Sequence, residues 1–226
     1  MHISPGVVDG AKIGLSIATA AASFGLLAKM AKDTVMRGGG LVALGVRSLA
    51  ATVLVLSFFE VFPHYPVGVS EVHLILGSTL FLLFGAGPAA IGLAAGLLIQ
   101  GLFFAPFDLP QYGMNVTTLL VPLFGISMLA KRIVPARTPY VEVSYAQALT
   151  LSTAYQGGIV AWVAFWAFYG QGFGATNVAA VSTFGAAYMS VIIIEPLADL
   201  AVLAIAKMAA GRTPAPLFQR RLHSAA

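Results

Sequence analysis

Seven apolar stretches, at about residues 11–30, 40–60, 72–86, 88–105, 114–131, 145–169 and 177–208, occupy most of this chain. A helix needs about 20 predominantly apolar residues to cross the hydrocarbon core of a bilayer. Only 9% of the residues are charged and 59% are hydrophobic, whereas a soluble domain carries roughly 25% charged residues. Such a chain has too little polar surface to cover itself in water. The expected fold is an all-α integral membrane protein, one domain over residues 1–226, with about seven transmembrane helices. The third stretch, VHLILGSTLFLLFGA, is short, and the last is long with Pro196 inside it. If the third is re-entrant, the count falls to six. No stretch reads as a soluble domain or a repeat. There is no cysteine, which excludes disulfides and thiolate metal sites.

Lysine and arginine set the expected direction. Lys29, Lys32 and Arg37 follow the first stretch; Lys131, Arg132 and Arg137 follow the fifth; Lys207, Arg212, Arg220 and Arg221 follow the seventh. The loops EVFPHYPVGVSE, APFDLPQYG and YGQGFGATN have neither residue. The positive-inside rule then puts the amino terminus outside and a tail of about 209–226 in the cytoplasm. Seven spans require opposite ends, so count and charge agree. The segment ATAAAS imitates a signal-peptide cleavage site. A signal peptide, however, begins with a basic region, and the first nine residues hold no Lys or Arg.

The chain opens MHISPGVVDG. Methionine removal needs a small second residue, so Met1 should stay before the bulky His2. Its α-amine, the His2 amide nitrogen and the His2 imidazole form one five-membered and one six-membered chelate ring. A metal that displaces the amide proton favours planar nitrogen coordination, as Cu(II) and Ni(II) do. Residues 1–10 therefore read as a metal-binding loop with one corner of a square left for a second histidine. His73, expected to begin the third helix on the same outer side with Ser70 as its cap, is the better candidate. His64, in FPHYP, competes. His223 lies in the basic tail on the opposite side.

The order and spacing of several segments resemble the CbiM/NikM family, the substrate-capturing membrane subunit of energy-coupling factor transporters for cobalt and nickel. The segments are MHI with Gly6, SEVHLILGSTLFLLFGAGPAA, LLIQGLFF with Gln100, and YGMNVTTLLVPLFG with Asn115. The likeness covers residues 1 to about 130; beyond that it rests on hydropathy. Departures are Pro5 where many members are acidic, Glu71 and Val72 in place of a small pair, and the bulky Leu74-Ile75-Leu76. The resemblance implies Met1, His2 and His73 as ligands of a transported Co²⁺ or Ni²⁺. It also implies Gln100 and Asn115, with Ser70, as groups that orient them. It further implies a transmembrane coupling subunit, two ATP-binding-cassette ATPase subunits and, in some systems, a small accessory membrane subunit. The setting it implies is a multi-pass protein of a bacterial or archaeal cell membrane, with no nucleic-acid partner.

Carboxylates inside a span are expensive and rarely face lipid. Glu195 and Asp199 lie four residues apart on one helical face, at a depth similar to Arg47. A structural charge pair of Arg47 with either acid is expected; the alternative is a secondary transporter or channel that uses Glu195 and Asp199. Ala18-xxx-Ala22, Ala21-xxx-Gly25 and Gly92-xxx-Gly96 are small-residue faces that let helices pack closely; the first could contact a coupling subunit. No Gly-x-x-x-x-Gly-Lys-Ser/Thr loop is present, so the chain is not expected to power transport or act as an enzyme.

Overall fold

The computed structural model describes residues 3–37, 39–62, 64–209 and 217–224. Its helices are α1 (Ile13–Arg37), α2 (Gly40–Glu60), α3 (Gly77–Phe84), α4 (Ala86–Phe103), α5 (Tyr112–Ile133), α6 (Tyr145–Gln171), α7 (Ala175–Met189) and α8 (Glu195–Met208). A hairpin of β1 (Tyr65–Val67) and β2 (Ser70–Val72) lies between α2 and α3. Among the described residues, six helical segments are long and apolar enough to cross a membrane: Gly10–Arg37, Gly40–Glu60, Ala86–Phe103, Pro106–Ile133, Tyr145–Gln171 and Ala175–Met208.

The expected third span is therefore not a full helix. It consists of four non-helical residues, His73 to Leu76, followed by the eight residues of α3. Eight helical residues rise only about 12 Å. Every residue from Ile75 to Gly85 is buried, with α3 packed against α2, α4, α5, α6 and α8. Non-helical backbone is tolerated at membrane depth only when protein surrounds it, and that condition is met here. Leu76, just before α3, has φ +52 and is the single non-glycine residue at positive φ among the described residues; the packing holds it there against local strain.

The long last stretch is also interrupted. Residues Ser190–Ile193 form a 3-10 turn, and Pro196 sits in the first turn of α8. Proline lacks an N–H and clashes with the preceding turn, so it starts a helix rather than continuing one. This break places Glu195 at the head of α8.

Two ends of the bundle differ. At one, the hairpin, the amino-terminal segment and the start of α5 meet. At the other, the C-terminal ends of α1 and α5, the N-terminal ends of α2 and α4 and the tail gather half of the chain's lysines and arginines around a cavity. The described part of the tail folds back onto this basic end. The Gln219 side-chain amide donates to the carbonyls of Phe81 (2.8 Å) and Leu82 (2.6 Å), and its backbone N–H donates to Leu83 O (2.9 Å), which caps α3. Arg221 donates to Val134 O and Pro135 O, both at 2.9 Å, and lies over the Tyr140 ring. Burial raises the Tyr140 phenol above its ordinary pKa, with the Arg221 guanidinium opposing.

Candidate metal centre

The hairpin turns at Gly68-Val69, with Tyr65 opposite Val72 and Val67 opposite Ser70. Gly68 has φ +62, and a Cβ there would meet the Ala180 carbonyl oxygen at 2.1 Å. Glycine thus both makes the turn and seats it on α7. The free edge of β2 is taken by the amino-terminal segment. Ile3 forms an antiparallel bridge with Ser70, Ser4 N–H donates to Val69 O at 3.2 Å, and Ile3 N–H donates to Asn115 Oδ1 at 3.0 Å. Ile3 is wholly buried. Farther on, the segment crosses α6 at Gly170, where a Cβ would stand 1.8 Å from Val7 O. Lys12 Nζ donates to Gly170 O at 2.7 Å.

His73 follows β2 directly and is 1% exposed. Its Nε2 lies 2.9 Å from Glu71 Oε2. The Phe59 ring meets it edge-on at 5.4 Å, and the His64 ring stacks on it at 4.9 Å with planes 7° apart. A neutral imidazole that donates Nε2–H to a carboxylate carries its lone pair on Nδ1. The Glu71 hydrogen bond therefore selects the tautomer and fixes the ring, as partners of metal-binding histidines do.

Two local expectations are corrected. His73 does not begin a helix; α3 starts four residues later, at Gly77. Ser70 is not a helix cap either; it is a fully buried residue of β2. Both errors come from reading VSEVHL as a helix start when Ser70–Val72 pairs as a strand. Strand periodicity also explains the partner that helical reasoning missed, since residues two apart share one face of a strand, as Glu71 and His73 do.

Met1 and His2 lie outside the described residues. Asn115, near the start of α5, is buried and holds Ile3. Gln100 is buried near the C-terminal end of α4, and its Oε1 has no hydrogen-bond partner among the described residues. His64 is exposed yet lies against His73. No three His, Asp or Glu side chains converge into a metal site among the described residues.

A family model described as "Cobalt uptake substrate-specific transmembrane region", CbiM, matches residues 2–212. The chain belongs to the CbiM family. It is a membrane component of cobalt uptake, a transporter component rather than an enzyme, and spans the membrane several times. No curated protein and no solved structure matches it.

In this CbiM-family chain the buried acids have a polar cluster of their own. Glu195 and Asp199 are both wholly buried. Ser78 Oγ lies 2.8 Å from Asp199 Oδ2 and 3.3 Å from Glu195 Oε1, so its single proton can serve one of them at a time. Thr79 Oγ1 donates to Asp199 Oδ1; Ser152 Oγ (2.7 Å) and Gln156 Nε2 donate to Glu195 Oε2. Hydroxyls and an amide from α3 and α6 hold the acids of α8, where an ion pair with Arg47 was expected. Arg47 is buried instead in the wall of the basic cavity. Neutral donors satisfy a buried carboxylate without the cost of desolvating a second charge.

Proposed function

We propose that this chain is the substrate-capturing subunit of an energy-coupling factor transporter. In this reading it binds Co²⁺ or Ni²⁺ on the hairpin side through Met1, His2 and His73. The observation that carries it is the docking of Ile3. The bridge to Ser70 is antiparallel, so the direction back toward His2 and Met1 is the direction from Ser70 toward His73. Two residues reach at most about 7 Å when extended, a span that favours a partner histidine on the hairpin, where the buried His73 is the one we assign and His64 stacks on it. Asn115 pins the segment from its other side. The α-amine, the His2 amide and two imidazoles then offer four nitrogens, a donor set that suits Co²⁺ and Ni²⁺. Glu71, 2.9 Å from His73 Nε2, would fix the ring for this role.

Capture alone does not move the ion inward. The chain has no phosphate-binding loop, and we assign that work to a transmembrane coupling subunit and two ATPase subunits in a bacterial or archaeal cell membrane. A docking face for the coupling subunit is available on α1. Ala18, Ala21, Ala22 and Gly25 are all exposed, and small residues let a second helix approach closely. By contrast, Gly92 and Gly96 are used internally, against Ala51 and Val55 of α2.

The test is metal analysis and calorimetry on protein carrying its native amino terminus. Stoichiometric Co²⁺ or Ni²⁺ lost in His2→Ala and His73→Ala supports the site. The rival reading, a secondary transporter, has the ion carried by Glu195 and Asp199. It moves ahead if Glu195→Gln and Asp199→Asn remove binding while His2→Ala leaves it intact.

A further inference from the structure

The basic end of the bundle has a feature that metal capture does not use. A cavity of about 510 Å³ opens between α1, α2, α3, α4 and α5, a size typical of small-ligand sites, which run roughly 300–1,000 Å³. Lys29, Arg37, Lys131 and Arg220 line it, and Asp33 is the one acidic residue that does. The side chains of Arg37, Lys131 and Arg220 have neither an ion pair nor a hydrogen bond among the described residues. Lys29 is held over the Phe124 ring, with Nζ 5.2 Å from its centroid, which leaves the ammonium's donors unspent. The floor and walls are apolar, with Phe81, Phe84 and Phe124 among them. Ala86 also lines the cavity and is the first residue of α4, so the positive end of that helix opens on the same space.

Positive-inside orientation accounts for basic residues at this end of the molecule. It does not account for their convergence on one half-open cavity with aromatic walls. Lys32, Arg132 and Arg137 belong to the same clusters in sequence, yet none of them lines the cavity. Cations gathered around a single space raise its positive potential and favour an anion between them. The shape adds a second requirement, because part of that ligand must be apolar or tolerate aromatic walls.

We propose that this cavity binds a phosphate-bearing anion. Its phosphate lies among Lys29, Arg37, Lys131 and Arg220, and its less polar part lies along Phe84 and Phe124. Basic pockets between transmembrane helices receive anionic lipid headgroups in this way. A soluble phosphate compound offers the same charge, so the experiment separates the two sources.

The full chain, purified in mild detergent, is titrated with phosphatidylglycerol or phosphatidylcholine, with and without inorganic phosphate, and bound lipid is read by native mass spectrometry. Two triple variants are compared. One removes cavity charges (Arg37→Gln, Lys131→Gln, Arg220→Gln); the other removes equal charge at the same end but outside the cavity (Lys32→Gln, Arg132→Gln, Arg137→Gln). All six residues are exposed, and thermal unfolding checks each protein. If the cavity triple fails to fold, Lys131→Gln and Arg220→Gln are tested singly. The expected result is retention of phosphatidylglycerol over phosphatidylcholine, weakened about fivefold for each cavity charge removed and unchanged in the other triple. Retention that survives millimolar phosphate identifies the lipid as the ligand. Displacement by phosphate, with the same dependence on the cavity residues, identifies a soluble phosphate. Equal losses in both triples, or no preference for the anionic lipid and no phosphate binding, overturn the proposal.

Discussion

The His64 imidazole lies parallel to that of His73, with centroids 4.9 Å apart and planes within 7°. His73 is buried and hydrogen-bonded to Glu71, whereas His64 is exposed on the loop before β1. The stack makes His64 a lid on the His73 ring, and the two substitutions should differ in size. His73→Ala removes the proposed metal ligand and should abolish tight binding. His64→Ala removes a ring contact worth about 0.5–1.5 kcal/mol, so a loss of roughly two- to tenfold is expected. Calorimetry on both variants decides. If His64→Ala costs more than His73→Ala, the ligand assignment is reversed.

Glu71 acts on the same ring from its Nε2 side. Glu71→Gln keeps the shape but weakens the hydrogen bond that selects the tautomer, and outer partners of metal ligands are typically worth about 10–100-fold in affinity. A Co²⁺ titration followed by absorption spectroscopy should show weaker binding with the ligand-field bands of the wild type. Loss of those bands would make Glu71 a ligand itself.

Much of this was readable in the sequence, and the gaps have physical causes. The apolar runs announce a membrane protein because water cannot solvate them in any fold. The antiparallel docking of Ile3 was not readable, since a one-residue bridge leaves no periodic signal. The strand Ser70–Val72 is too short for alternation to show, so VSEVHL passed for a helix start. The buried α3 looked like a short span because length alone cannot tell an eight-residue helix after four non-helical residues from a poor full helix. Arg47 and Asp199 lie at similar depth, but depth along the normal says nothing of position around the bundle. The hydroxyls Ser78, Thr79 and Ser152 were the actual partners. The fold-back of Gln219 and Arg221 onto α3 and Tyr140 was hidden in a tail that reads as a basic terminus.

The cluster around Glu195 and Asp199 should act on stability and not on capture. Thr79→Val and Ser152→Ala each remove a donor to a buried carboxylate, at a cost of about 1–3 kcal/mol. Because the cluster joins α3 and α6 to α8, unfolding in detergent should shift to lower temperature for each. Metal affinity at the hairpin end should be unchanged. A fall in metal affinity with no fall in stability would tie these residues to the ion path.

Gly170 tests the docking of the amino terminus from a distance. It lies on α6, and a Cβ there would stand 1.8 Å from Val7 O, a backbone atom that cannot swing aside. Gly170→Ala must therefore lift the segment that carries Ile3 away from the bundle, although no proposed ligand is touched. If capture depends on that segment, Co²⁺ affinity should fall at least about tenfold, as when a positioning partner is lost. Gly157 is the control, on the same helix with nothing within 4 Å of the added Cβ. Gly157→Ala should leave affinity intact and hold or raise stability, because alanine favours a helix over glycine by about 1 kcal/mol. Wild-type metal binding in Gly170→Ala would show that the docked terminus is not needed, and the nitrogen site built on it would fall.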